Sequence, residues 1–177
     1  MYICHCQSPL GDLTMASDGK ALTGLWFDGQ KYFGAGLPKN CQDSVDLPVF
    51  QEAKHWLELY FRGKAPDFTP PLNPAGTPFQ RRVWEILKTI PYGQTTTYGE
   101  IGRIIAKENT LTSLSPQAIG GAVGHNPISL MIPCHRVVGK NGSLTGYAGG
   151  IDKKIALLTL EGVDVSQFTI PQKGTAL

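Results

Sequence analysis

The sequence predicts an α+β fold with two domains. A small antiparallel sheet with one helix is expected over residues 1–75, and a mostly helical domain, arranged like a helix-turn-helix or winged helix, over residues 76–177. Three observations lead to this prediction. Short apolar segments between turn residues fill the first 46 residues, five prolines fall between Pro66 and Pro78, and apolar residues at helical spacing dominate the remainder.

The N-terminal domain has two clear strand segments, Leu13–Ala16 and Leu22–Phe27. Turn residues bound both of them, with Gly11-Asp12 before the first and Ser17–Gly19 between the two. Apolar residues then recur at helical spacing, which predicts an amphipathic helix over residues 47–62. The five prolines after it mark the seam between the domains.

The C-terminal domain contains four predicted helices, over residues 78–90, 98–107, 116–124 and 152–161. Thr77 can cap the first helix, and Thr97 with Glu100 has the spacing of a capping box for the second. The second and third helices can form a helix-turn-helix, although their connection is longer than the usual turn. Residues 128–138 read as an apolar strand.

Charge differs between the two parts of the chain. The residues before Pro78 carry 6 Lys and Arg against 8 Asp and Glu, whereas the remainder carries 10 against 6, within a net charge of +2. This distribution fits a C-terminal domain that approaches phosphates, and it also fits scattered surface charge. Because the chain has no membrane-length apolar run, no signal-peptide pattern and only four cysteines, we expect a cytoplasmic protein without membrane association.

One cysteine stands in a reactive setting, the segment Pro133-Cys134-His135-Arg136. A thiol reacts as its thiolate, and with a pKa near ~8.5 only a few per cent is ionised at neutral pH. The adjacent imidazole can accept the proton, directly or through water, and Glu161 is a candidate carboxylate to support the imidazole. Taken alone, the segment could equally hold a buried structural cysteine.

Further motifs accompany this segment in a fixed order. They are Gly76–Gln80, Ile90–Gly93, Thr97–Glu100, Asn126-Pro127, Thr145–Gly150 and Leu160–Gly162. Together, over residues 76–162, they resemble the O6-alkylguanine-DNA alkyltransferase (methylated-DNA–protein-cysteine methyltransferase) family. Ser8–Gly11 and Gly24–Phe27 are also similar to the N-terminal domain of its bacterial members.

The resemblance implies a DNA repair protein that moves the alkyl group of O6-alkylguanine irreversibly to Cys134, once per molecule and without a cofactor. Activity on O4-alkylthymine stays open. By position, His135 matches the water-mediated base and Glu161 the carboxylate that orients it. Asn126 matches a hinge residue that braces the site, and Tyr98 a phenol that donates to the guanine. The target base must leave the DNA stack to reach a protein thiol.

The resemblance also implies a set of DNA contacts, with alkylated double-stranded DNA as the partner of a monomer that could assemble cooperatively on it. Tyr147 matches a pocket-lining aromatic, and the backbone of Val137 and Ala148 is expected at the base edge. Other expected contacts are Arg103, Arg136 (structural or phosphate-facing), and the small residues of a recognition helix in the minor groove, Gly120, Gly121 and Ala122.

Gln117 departs from the family, which usually has an arginine there to fill the hole left by the extruded base. Glutamine can bond the orphaned cytosine but has no charge and stacks less well, so we expect weaker extrusion, or compensation by His125 or Arg103. Sequence alone favours packing as the reason for the two helical glycines, Gly120 and Gly121, over close approach to DNA.

Two other functional classes share part of this pattern. A lesion-binding protein or regulator without activity would lack the acceptor cysteine. A cysteine hydrolase would normally bring Cys and His together from separate segments, whereas the consecutive Cys134 and His135 would point apart on a strand. Some family members bind zinc in the N-terminal domain, but the candidates here lack paired Cys-x-x-Cys spacing, so we expect no metal. These candidates are Cys4, His5, Cys6, Cys41 and His55.

Overall fold

The computed structural model of the protein describes residues 1–171. They form two compact units: Met1–Ala75 with Pro127–Met131, and Gly76–Asn126 with the residues from Ile132 onwards. The first unit holds a small sheet and a helix and the second is mostly helical, which confirms the predicted α+β fold.

The sheet of the first unit has the strand order β3-β2-β1-β4. Strands β1 (Tyr2–Cys6), β2 (Leu13–Ser17) and β3 (Leu22–Phe27) are antiparallel neighbours. The short strand β4 (Gln42–Asp43) departs from the predicted pattern, because it pairs parallel to β1. Helix α1 (Pro48–Phe61) follows and buries one apolar face.

Residues 127–131 belong to the first unit, although the sequence-based division assigned them to the C-terminal domain. The reason is backbone pairing with β3. The Leu25 N–H donates to the Pro127 carbonyl at 2.9 Å, and the Ser129 N–H donates to the Leu25 carbonyl at 2.8 Å. Pairing between residues a hundred positions apart leaves no periodic signal in the sequence.

The second unit contains four α-helices and a pair of short parallel strands, β5 (Thr96–Thr97) and β6 (Val137–Val138). The helices are α2 (Pro78–Lys88), α3 (Tyr98–Glu108), α4 (Pro116–Gly124) and α5 (Ile151–Leu160). Their starts follow from local capping. Thr77 and Gln80 form a complete capping box, and Thr97 accepts a hydrogen bond from the Glu100 N–H.

Helix α4 packs through one face only. Ile119, Ala122 and Val123 are buried, and the Trp84 indole N–H donates to the Ala122 carbonyl at 2.8 Å. Ala122 therefore faces the core, which corrects its assignment to the DNA contacts. Gly102 of α3 lies against this face, where an added Cβ would be in ordinary van der Waals contact with Ile119 at 3.6 Å.

The glycine pair of α4 is not explained by packing, which was the sequence-based preference. A Cβ built at Gly120 or at Gly121 meets no heavy atom within 4 Å among the described residues. Both residues thus turn a bare stretch of helix backbone outward. A helix interior tolerates each glycine at a destabilisation of about 1 kcal/mol relative to alanine.

The predicted strand over residues 128–138 is wrong except at its end. Cys134–Arg136 form a short 3₁₀ helix, and only Val137–Val138 are extended in β6. Pro133 has no N–H to offer a strand partner, and Leu130 has a φ of 70°. The argument that Cys134 and His135 point apart on a strand therefore does not apply.

No helix within residues 1–171 is both long and apolar enough to cross a membrane. In the same part of the chain, no three His, Cys, Asp or Glu side chains are grouped so that they could hold a metal ion.

Candidate active site

Cys134 begins the 3₁₀ helix and is buried, with 5% of its surface exposed. Its N–H donates to the Ile132 carbonyl at 2.8 Å, which makes a tight turn just before the helix. The Asn126 side-chain amide donates to the same carbonyl at 2.7 Å and also bonds the thiol. Asn126 therefore braces both the turn and the sulfur atom.

The surroundings of the Cys134 thiol act in opposite directions on its pKa. Burial raises the pKa above its ordinary value. The Asn126 hydrogen bond, the positive charge of Lys154 and the backbone N–H groups of Cys134 and His135 lower it. In this state the thiol is protonated, and these four groups are the ones that stabilise a thiolate when the proton leaves.

His135 is fully buried, and its Nε2 lies 2.6 Å from Glu161 Oε1. Burial lowers the pKa of the imidazole, while the Glu161 hydrogen bond and charge raise it, with a net lowering. The ring is therefore neutral at pH 7. Because the carboxylate accepts the Nε2 proton, Nδ1 is the basic nitrogen of this tautomer.

Glu161 lies directly after α5, and besides its contact with His135 it accepts three hydrogen bonds. Arg136 donates from Nε at 2.9 Å and from Nη2 at 3.0 Å, and the Gly93 N–H donates at 3.1 Å. Burial alone would raise the pKa of Glu161, but the bonds from His135 and Arg136 outweigh it and lower the pKa to about 2. The carboxylate is ionised throughout the physiological range.

Arg136 is buried in this network rather than exposed toward phosphates. It donates to the Ile90 carbonyl at 2.7 Å, and its guanidinium lies 5.7 Å from the centre of the Tyr92 ring. With only 8% of its surface exposed, Arg136 cannot reach a DNA strand. Its inclusion among the DNA contacts is corrected to a structural role that fixes Glu161.

Two tyrosines lie beside the thiol. Tyr98, the first residue of α3, donates its hydroxyl to the Thr145 carbonyl at 3.0 Å, and burial raises its pKa to about 12. Tyr147 is buried, with its ring edge-on to His135 at 6.4 Å between centres. Ala148 follows it and is half-buried. At neutral pH the Tyr98 phenol keeps its proton and is a hydrogen-bond donor.

Apart from the buried Ala122, the expected DNA contacts outside the thiol site are exposed or half-buried. Gln117 is exposed at the start of α4, and Gly120 and Gly121 follow on the same helix. Arg103 is exposed on α3 and paired with Glu100 at 2.8 Å.

Lys154 is the residue near the thiol that sequence reasoning missed. It is fully buried on α5, where its ammonium donates to the Val137 carbonyl at 2.5 Å and to the Thr145 carbonyl at 2.9 Å. A signal existed, because helical spacing puts Lys154 on the same face as the buried Leu157 and Leu158.

Cys6 has a raised pKa like Cys134, but the groups around the two thiols differ. Burial and the negative groups around Cys6 raise its pKa to about 11, so it carries little thiolate at neutral pH. Cys4 is buried and bonds the carbonyl of His5, while Cys41 bonds the carbonyl of Pro38. These contacts fit structural thiols.

The chain matches two family models. Residues 78–163 match the DNA binding domain, and residues 1–74 the ribonuclease-like domain, of 6-O-methylguanine DNA methyltransferase. A methylated-DNA–protein-cysteine methyltransferase of Haemophilus influenzae is 42% identical over 165 residues, which is 92% of this chain and 87% of that protein. One of Mycobacterium tuberculosis is 45% identical over 155 residues, 88% of each chain.

Solved structures agree with these matches. The crystal structure of Mycobacterium tuberculosis OGT in complex with DNA superposes with a TM-score of 0.78, at 40% identity and 95% coverage of both chains. A methyltransferase structure from Methanococcus jannaschii gives a TM-score of 0.61, at 28% identity and 97% coverage of both chains.

Proposed function

Because the chain belongs to the family of methylated-DNA–protein-cysteine methyltransferases, DNA repair proteins that bind DNA, we propose that Cys134 is its alkyl acceptor. The observation that carries the proposal is the buried series Cys134, His135 and Glu161. The residue after the thiol in the chain carries a neutral imidazole, whose Nε2 is held by an ionised carboxylate. Such a series can remove a thiol proton and stabilise the imidazolium that results.

The reaction is a displacement at an sp3 carbon. The Cys134 proton passes toward His135 Nδ1, through water as the family resemblance implies, and the thiolate attacks the alkyl carbon. The S–C bond forms while the C–O6 bond breaks, and the guanine leaves with the electron pair and takes up one proton. The proton lost by the thiol balances the proton gained by the base. Since a thioether is not cleaved under these conditions, each molecule reacts once.

Tyr98 supports the departure of guanine. Its pKa of about 12 keeps the phenol protonated at neutral pH, so it can donate to a ring nitrogen as negative charge develops there. The donor is engaged with the Thr145 carbonyl in the structure and would exchange that acceptor for the base. Tyr147 would form one wall of the pocket, and the backbone of Val137 and Ala148 its polar edge.

The outward face of α4 is the proposed DNA-binding surface, lying in the minor groove. The open backbone at Gly120 and Gly121 supports this, because a bare helix surface can approach a narrow groove closely. Gln117 would occupy the space left by the extruded base, and Arg103 would add charge nearby. We propose that the protein binds as a monomer, with cooperative assembly along DNA to be measured, and that it acts in the cytoplasm.

Mass spectrometry tests this function. The protein is incubated with an oligonucleotide containing O6-methylguanine, and intact and peptide masses are measured for the wild type and for Cys134→Ser. We expect one methyl group per wild-type molecule, confined to the Cys134 peptide, and none in the variant. Cys6 serves as an internal control thiol that stays unmodified.

Two results would contradict the proposal. Methylation of another residue would assign a different acceptor. Tight binding of the lesion without any methyl transfer would place the protein with lesion-binding proteins that lack activity, and Gln117 would then be the first residue to replace.

A further inference from the structure

Lys154 carries a charge in an unusual place. Its side chain is fully buried. Among residues 1–171, the ion pairs of the second unit involve cationic side chains other than Lys154. Lys154 Nζ donates only to backbone carbonyls, those of Val137 and Thr145. A buried ammonium without a carboxylate is strongly disfavoured unless another negative group offsets it. At neutral pH Lys154 is still protonated, because burial lowers its pKa only to about 8.

Of the ionisable groups around the thiol, Cys134 itself is the one that can supply this negative charge. Glu161 is ionised, but Arg136 already neutralises it, and His135 is neutral. Cys134 and Lys154 interact directly through charge: the ammonium lowers the pKa of the thiol, and the thiolate raises the pKa of the ammonium. A Cys134 thiolate would therefore be the counter-charge of Lys154.

We propose, resting on the function proposed above, that Lys154 is a positioning residue for alkyl transfer whose ammonium stabilises the Cys134 thiolate. The Val137 and Thr145 carbonyls hold the ammonium in place, and both belong to the segments that flank the thiol. Thr145 also accepts the Tyr98 hydroxyl. Lys154 thus joins the thiol to the proposed base pocket by charge and by hydrogen bonds.

Several ionisable groups face Cys134 from the elements packed around it. Tyr98 comes from α3, His135 and Arg136 from the 3₁₀ helix, Lys154 from α5, and Glu161 directly follows α5. Of these, the phenol and the imidazole are neutral at pH 7, and the arginine and the carboxylate form a pair. Among these groups, Lys154 is the charged one that is not in an ion pair.

The test uses two substitutions that separate charge from hydrogen bonding. Lys154→Gln keeps an N–H donor for the carbonyls but removes the charge, and Lys154→Met removes both. Lys153→Met is the matched control, since it makes the same change in net charge one residue away on the same helix, at a half-buried position. The readout is the pH profile of Cys134 carboxamidomethylation by iodoacetamide without DNA, followed on the Cys134 peptide.

We expect the midpoint of the profile to rise by about one pH unit or more in both Lys154 variants, as for loss of a nearby opposite charge. The rate at pH 7 should fall by only about threefold per unit, because a more basic thiolate is also more nucleophilic. Lys153→Met should keep the wild-type midpoint. A Lys154→Gln profile equal to that of the wild type would overturn the proposal, since hydrogen bonding alone would then account for the residue.

A reciprocal measurement keeps the proposal testable if both Lys154 variants fail to fold. The pKa of Lys154 is measured by NMR of labelled lysine in the wild type and in Cys134→Ser. We expect the complete Lys154 titration curve of the wild type to differ from that of the variant, which cannot form a thiolate, and identical curves would refute the charge interaction. Neither titration involves DNA, so a failure of methyl transfer to Cys134 in the mass spectrum stays distinct from a failure of this inference.

Discussion

The Glu161→Gln substitution tests the electrostatics of the site most directly. Gln keeps the shape of the side chain but removes the charge that bonds His135, Arg136 and the Gly93 N–H. The pKa of Glu161 is lowered from 4.5 to about 2, which corresponds to about 3 kcal/mol of folding stability at pH 7. Removing one partner of a buried ion pair typically lowers the free energy of unfolding by about 3–5 kcal/mol, which is of the same size.

The sign of the pH dependence follows from the lowered pKa. The contribution of Glu161 is complete above its unfolded pKa of 4.5 and is lost as the pH falls toward 2. The stability difference between wild type and Glu161→Gln should therefore shrink from about 3 kcal/mol at pH 7 to about 1 kcal/mol at pH 3. At pH 3 more than half of the benefit has gone, because the unfolded carboxyl is then protonated, while the folded one, with a pKa of about 2, is still mostly ionised.

Urea unfolding followed by circular dichroism at pH 7, 5 and 3 measures this difference. Glu58→Gln is the matched control, because Glu58 pairs with Arg62 while both side chains are more than half exposed. That variant should change the free energy of unfolding by less than about 1 kcal/mol. A Glu161→Gln difference that stays constant from pH 7 to pH 3 would refute the assigned charge state of Glu161.

Three further substitutions address DNA binding and transfer. Gln117→Arg should raise DNA affinity and the single-turnover repair rate, because it restores a charged, stacking side chain; binding titration and rapid quench measure both. Gly121→Ala should stabilise the fold by up to about 1 kcal/mol in urea unfolding, since its Cβ meets nothing within 4 Å, yet weaken DNA binding. Tyr98→Phe should slow methyl transfer by roughly 10²-fold at unchanged secondary structure, measured by single-turnover kinetics.

Each of these has a contrary result. Unchanged affinity and rate in Gln117→Arg would remove position 117 from base extrusion. Full DNA affinity in Gly121→Ala would place the DNA elsewhere than on the open face of α4. A wild-type transfer rate in Tyr98→Phe would show that the departing guanine takes its hydrogen bond from another donor.

Local signals in the sequence predicted the helices well. Thr77 before Pro78, and Thr97 three residues before Glu100, encode helix starts within four residues, and the structure has α2 and α3 at those positions. The Cys134–His135 pair and its carboxylate Glu161 came from motif order, and the structure brings His135 and Glu161 into contact. Residue type and short-range spacing carry this information.

Long-range contacts were outside the reach of such signals. The apolar run from Ile128 to Val138 indicated burial, and burial does not distinguish a strand from a turn followed by a 3₁₀ helix. The choice between a structural and a phosphate-facing role for Arg136 stayed open, because nothing nearby in sequence shows that Glu161 will pair with it. Helical spacing groups Lys154 with the buried Leu157 and Leu158, but its hydrogen-bond partners are backbone carbonyls, which residue types in the sequence do not indicate.

The pairing of residues 127–131 with β3 has a consequence for dissecting the protein. The backbone passes between the compact units after residues 75, 126 and 131. A protease nick in the proline-rich segment therefore leaves Leu25 on one fragment and its bonded partners, Pro127 and Ser129, on the other. In a recombinant fragment beginning at residue 76, residues 127–131 would lack their pairing with β3, and the buried Ile128 and Met131 would become exposed. Unpaired apolar edges of this kind favour aggregation.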